Sequence, residues 1–129
     1  MSFKEYDNYD ALGLAELVKN KEVSAEELLE EAIQRTERVD DQINAVVLKH
    51  YDEAKAMIKD GLPDGPFTGV PYLLKDLHVL LTGTKTTYGS KFFKDYVADH
   101  NSTLVDRYLE AGLVTVSYTH LTLPTILLV

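Results

Sequence analysis

The sequence predicts an α/β fold, and three observations predict it. Apolar residues recur at helical spacing through the first 60 positions. Short apolar runs bounded by glycine and proline come next. Strand, loop, helix and strand then follow one another as far as position 116.

Taken in order, Asp10 caps a short helix over Ala11–Lys19 that turns Leu14, Leu17 and Val18 to one side. A second helix starts at Ser24, because Ser24-Ala25-Glu26-Glu27 fits the capping box. Its stripe of Leu28, Leu29, Ala32, Ile33 and Thr36 carries it to about Val39, and Asp40-Asp41 is expected to stop it. Ile43 to Leu48 is a β-branched run, predicted as a strand or extended link. Tyr51 to Lys59 is helical again, with Gly61 as its stop. Leu62 to Phe67 is a turn cluster, and Val70 to Leu74 a short buried strand with Lys75-Asp76 at its end. His78 to Leu81 is extended, and Thr86 to Ser90 is a polar loop. Ser102 caps a helix through Ala111, with Leu104, Val105, Tyr108 and Leu109 inward. Leu113 to Val116 is then a strand.

Composition narrows the function classes. The 129 residues suffice for one small domain, with 45% hydrophobic and 26% charged residues. A net charge of −8 argues against a nucleic-acid partner, which needs a basic face. No basic amphipathic helix suggests a membrane surface, and the apolar run Leu121 to Val129 is too short to span one. The charged, mixed opening Met1 to Asp7 is not a signal peptide, and the absence of cysteine removes disulfide and thiolate chemistry. A cytoplasmic protein is the expectation.

Lys75 is the candidate site residue. It leaves an apolar strand, Val70-Pro71-Tyr72-Leu73-Leu74, and so is expected to be partly desolvated. Desolvation disfavours an ammonium and lets a lysine act as a base. Ends of strands in α/β sheets are also where sites gather. The residues alone leave a second reading open, a surface lysine paired with a carboxylate such as Asp76. The four histidines, His50, His78, His100 and His120, have no metal-site spacing. No Gly-x-Ser-x-Gly elbow and no phosphate loop is present. Thr86, Thr87 and Ser90 could bond a ligand, and turn chemistry explains them equally well.

The stretch Gly65-Pro66-Phe67-Thr68-Gly69-Val70-Pro71-Tyr72-Leu73-Leu74-Lys75-Asp76-Leu77 resembles the lysine-bearing motif of the amidase signature family. Similarity extends to the opening helices, to Gln42-Ile43-Asn44-Ala45-Val46-Val47, to Thr86-Thr87-Tyr88-Gly89-Ser90-Lys91-Phe92-Phe93, and to Ser102–Val116. It covers residues 9 to 116 in order.

The resemblance implies the first strands of that family's mixed sheet, left incomplete, behind N-terminal helices. It also implies hydrolysis of small-molecule carboxylic amides. In the family a serine attacks the carbonyl, a second serine on a cis peptide relays the proton, and a neutral lysine is the base. By resemblance Lys75 is that base. No cofactor and no metal is implied. Tyr72-Leu73-Leu74-Lys75-Asp76-Leu77 with Thr87-Tyr88-Gly89-Ser90 is more similar to general amidases, including hydrolases of nylon cyclic dimers, than to the A component of glutamyl-tRNA amidotransferase. A third reading, from another class, makes residues 11 to 59 a helical interaction module.

The resemblance stops at Ser117. There the family continues with a Lys-Thr-Asn segment and later a Gly-Gly-Ser-Ser segment, and this sequence has neither. Residues 117–129 contain no Asp, Glu, Lys or Arg and are expected to be a non-family tail, an adapter read-through or a frameshift. With the lysine but neither serine, the 129 residues are expected to be inactive. With unpaired strand edges they are expected to associate.

Overall fold

The computed structural model describes residues 3, 5–77 and 79–119. Four helices and three strands follow in the order α1 (Ala11–Lys19), α2 (Ala25–Ile43), β1 (Val46–Lys49), α3 (Tyr51–Asp60), β2 (Pro71–Lys75), α4 (Thr103–Glu110) and β3 (Val114–Thr119). The sheet order is β1-β3-β2, with β1 antiparallel and β2 parallel to β3. A mixed sheet with helices is the architecture the sequence predicts.

Both expected caps form. Asp10 accepts from Gly13 N–H at 2.8 Å. Ser24 and Glu27 close the capping box, with bonds of 3.1 and 3.0 Å. The predicted stop at Asp40-Asp41 fails, because α2 runs on to Ile43 and ends at Asn44 in the left-handed conformation. The Asp40 carboxylate reaches forward to the N–H groups of Ala45 and Val46, at 2.8 and 2.9 Å. It therefore holds the entry to β1 without breaking the helix. At the head of α4, Ser102 makes no side-chain cap, and its hydroxyl is buried without a partner. Leu104, predicted to face inward, is 46% exposed, while Val105 is fully buried.

The core lies on both faces of the sheet. On one face Val114 and Val116 pack with Leu29 of α2 and Ala54 of α3. On the other, Leu74 and Tyr118 pack with Val105 of α4. Each such aliphatic side chain, fully buried, contributes about 1.5–3 kcal/mol. Leu29 of α2 and Ala54 of α3 are thus packed against β3.

Strand β3 continues to Thr119, three residues past its predicted end. Ser117 and Tyr118 are fully buried there, paired with β1 on one side and β2 on the other. The β-branched and aromatic residues Thr115, Val116, Tyr118 and Thr119 suit a strand flanked on both edges. The rest of the charge-free tail, and His78 and His120, lie outside the described residues.

The turn cluster before β2 sets where that strand begins. Phe67 and Gly69 donate to the carbonyls of Ala111 and Gly112, both at 2.9 Å, just after α4. Val114 N–H donates to Val70 O at 2.9 Å. Gly112 has φ +86°, and a Cβ there would lie 2.6 Å from Thr68 Cα, so this crossing of two backbones requires glycine.

Candidate active site

Strand β2 carries Lys75 to the edge of the sheet. Side chains alternate along it: Leu74 and Asp76 are buried, while Leu73 and Lys75 are exposed. The pairing with β3 runs as far as Lys75 opposite Thr119. Asp76 N–H then donates to Thr119 O at 3.1 Å, and Leu77 N–H to Lys75 O at 2.7 Å. The backbone around Lys75 is fixed on both sides.

The expected partial desolvation of Lys75 is not observed. Its side chain is exposed because it shares a face with Leu73, itself 38% exposed, and that face is open at the exit of β2. Nor does it pair with Asp76. Among the described residues the Lys75 ammonium makes no hydrogen bond and no ion pair. Lys49 of β1 differs. It contacts Glu37 at 2.8 Å and Asp40 at 3.9 Å, and the Glu37 contact holds its ammonium above the usual lysine range.

Asp76 has a different task, one that its place in the sequence does not suggest. It is 2% exposed. Its carboxylate accepts from Thr87 N–H at 2.7 Å, from the Thr87 hydroxyl, and from Tyr88 N–H at 3.3 Å. Tyr88 and Gly89 are both left-handed, with φ of +53° and +64°. Such a turn converges backbone N–H groups on an anion, and here the anion comes from β2. The signal is present as a buried-strand Asp followed by Thr-Thr-Tyr-Gly, but nothing local in the sequence says that these segments meet.

The other sequence candidates have structural explanations. Thr87 is committed to Asp76, Ser90 caps the turn at Phe92 N–H (3.2 Å), and the Thr86 hydroxyl is buried without a partner. His50 sits before α3 edge-on to Tyr118, with ring centroids 5.4 Å apart, and burial holds its imidazole below the usual range. His100 is exposed and 2.6 Å from Asp99. Among the described residues no group of three or more His, Asp or Glu could hold a metal, and no helix is long and apolar enough to cross a membrane.

Two cavities bear on the site. The larger, about 520 Å³, lies between α1 and the turn of Asp64 to Thr68, at the entry end of β2 and away from Lys75. A smaller one of about 240 Å³ is lined by Leu73, Ala32, Thr36 and Val116, beside the face that bears Lys75. Arg35 at its rim is held by Glu31 at 2.7 Å and by Asp7, so the nearby charge is already paired.

The Amidase family model matches residues 27–125. The chain belongs to the amidase family. The 6-aminohexanoate-cyclic-dimer hydrolase of Paenarthrobacter ureafaciens is 42% identical over 113 residues, which are 86% of this chain and 22% of that protein. A solved structure of 6-aminohexanoate cyclic dimer hydrolase with substrate superposes with a TM-score of 0.79 at 41% identity, over 86% of this chain and 23% of the other. The A component of the glutamyl-tRNA(Gln) amidotransferase of Thermoanaerobacter pseudethanolicus is 34% identical, over 84% of this chain and 23% of that protein. The chain thus spans about a fifth of the length of the relatives it matches. The described fold is a partial copy of the amidase architecture.

Proposed function

We propose that this chain supplies the base of an amidase that hydrolyses carboxylic C–N bonds of small-molecule amides, with Lys75 as that base in a Ser–cis-Ser–Lys arrangement. The observation that carries the reading is the place of Lys75 at the fixed exit of β2, with no carboxylate partner for its side chain among the described residues. A general base must be deprotonated to take a proton, and a carboxylate partner would hold a lysine in its charged form. The two hydrolase comparisons, by sequence and by structure, support a general amidase ahead of an amidotransferase component, whose identity is lower. The 129 residues contain no Gly-Gly-Ser-Ser segment. Alone they offer a base without its nucleophile, and no turnover is expected of them.

On this proposal residues 1–116 belong to the amidase domain and 117–129 form a non-family tail, against which stand the continuation of β3 to Thr119 and of the family match to residue 125. Sequencing the source DNA across the Val116 codon tests that boundary. The catalytic reading is tested by a graft. Residues 1–116 replace the matching segment of the Paenarthrobacter ureafaciens hydrolase, and release of 6-aminohexanoate units is measured. Lys75→Ala in an active graft should cut kcat by roughly 10²–10⁴-fold or more with little change in KM. Retained turnover would refute Lys75 as the base.

A further inference from the structure

Charge is unevenly placed along this acidic chain. From 77 to 94 it has three lysines, Lys85, Lys91 and Lys94, and no Asp or Glu. From 22 to 34 it has five glutamates and no Lys or Arg. The basic stretch also carries Phe92, which at 87% is the most exposed large apolar side chain among the described residues. Phe92 projects from a hairpin tied by backbone bonds. Gly83 N–H donates to Ala98 O at 2.8 Å, Ala98 N–H to Thr84 O at 3.0 Å and Thr86 N–H to Tyr96 O at 3.2 Å. At the tip, Phe93 meets Tyr88 and Tyr96, with ring centroids 5.3 and 6.3 Å apart, and Phe92 stands edge-on to Phe93 at 5.0 Å. The Phe92 ring therefore reaches solvent on an aromatic base, between Lys91 and Lys94. Lys91 makes no ion pair among the described residues, and Lys94 shares Asp95 with Lys85, at 3.8 and 3.7 Å. Burying such a ring is favourable, and one already held in place loses little freedom when it is buried.

A surface that complements it lies on the same chain. A cavity of about 260 Å³ beside α2 is lined by Glu26, Glu27, Leu29, Glu30 and Lys55. Leu29 is buried and forms its base, and the methylene stems of the longer side chains give it apolar walls. Three carboxylates against one ammonium leave the rim negative. Glu27 is committed to the Ser24 cap, while Glu26 and Glu30 have no cationic partner among the described residues. The cavity has room for one aromatic ring, and its rim is opposite in charge to the lysines beside Phe92. Phe92 is too exposed to be filling the cavity of its own copy.

We propose that Phe92, flanked by Lys91 and Lys94, docks into the Glu26–Glu30 cavity of a second copy of this chain. Two different surfaces meet, so the contact is head-to-tail, and assembly continues past the dimer unless a ring closes. The contact uses neither Lys75 nor the edges of the sheet.

Sedimentation equilibrium of the 129-residue chain at low ionic strength tests this, with circular dichroism confirming the fold of each variant. The mass of the native chain should rise with concentration past that of a dimer, and less steeply as salt is added. Phe92→Ser should weaken association roughly tenfold or more, the loss expected of a buried aromatic anchor. Lys91→Glu with Lys94→Glu should weaken it too, and so should Glu26→Lys with Glu30→Lys. Mixing decides the geometry. Phe92→Ser keeps an intact cavity, and the double glutamate variant keeps an intact Phe92. Together the two should form a 1:1 dimer and stop there. If the glutamate variant does not fold, Lys55→Gln replaces it. Lys55 is exposed, and losing its charge from the rim should strengthen association. Weaker or unchanged association of Lys55→Gln would count against the cavity. Undiminished association of Phe92→Ser would place the contact elsewhere, such as on the strand edges, and overturn the proposal. So would a native chain that stays monomeric. Loss in Phe92→Ser with no dimer in the mixture would mean that Phe92 meets its own counterpart, and would overturn it as well.

Discussion

Replacing Gly112 with alanine separates two costs that usually arrive together. Gly112 and Gly83 both have positive φ, +86° and +79°. An alanine at either must adopt a left-handed conformation, at about 1–2 kcal/mol. They differ in their surroundings. A Cβ at Gly83 meets nothing within 4 Å, whereas one at Gly112 lies 2.6 Å from Thr68 Cα and 2.9 Å from Thr68 N. Those are backbone atoms, and they cannot rotate away. The Thr68 segment is also tied to the Gly112 region by Gly69 N–H to Gly112 O at 2.9 Å, so relief requires β2 to move. Overpacking of this kind adds about 1–3 kcal/mol. Gly83→Ala should therefore cost about 1–2 kcal/mol, and Gly112→Ala about 2–5 kcal/mol in total. With Tm falling about 4 °C per kcal/mol in a domain of this size, the two should differ by roughly 4–12 °C. Thermal unfolding followed by circular dichroism in one buffer gives both values. Equal losses of Tm would show that the close crossing of the turn and the chain after α4 carries no energy, and would refute the steric argument.

Two further predictions concern pH. Ser24 N–H holds the Glu27 carboxyl below its usual range, so that contribution is present above the ordinary Glu range and is lost as pH falls through the depressed value. The Tm difference between the native chain and Glu27→Gln should shrink as pH is lowered below about 4.3. A constant difference would remove the charge from the cap. Ser24→Ala should cost about 1 kcal/mol near neutrality in urea unfolding. Burial holds the His50 imidazole below its usual range, so the unfolded chain takes up a proton before the folded one does. Stability should therefore decline as pH drops below about 6.5, and His50→Gln should flatten that decline. An unaltered slope would place the titrating group elsewhere.

The elements were legible where the signal is local. The capping box at Ser24, the cap at Asp10 and the stop at Gly61 are read from adjacent residues and appear where expected. Asp40 misled, because an aspartate at a helix end is a stop only if its side chain turns to its own helix. Here it turns to the next strand, and its target N–H groups are not visible as a motif. The topology was not legible either. β1 pairs with a strand some 70 positions away and has no hairpin turn to announce it. At the site, the motif placed Lys75 at a strand exit, and it stands there. Its exposure and the inward Asp76 depend on which segments meet in space. The residue pattern around Lys75 does not encode that.

The sheet order has a consequence for synthesis. β3 is central, yet of the three strands it is the last made. On the ribosome β1 and β2 emerge first, and among the described residues each pairs with β3 and not with the other. The inner faces of α2 and α3 wait as well, because Val114 and Val116 are what Leu29 and Ala54 close upon. Assembly is therefore not vectorial. Within the described residues the apolar stripes stay uncovered until β3 is made, and the two sides then join in one long-range step of the kind that folds slowly. A codon change that pauses translation just before Val114 lengthens the interval in which chaperones, or other nascent chains, find those stripes first.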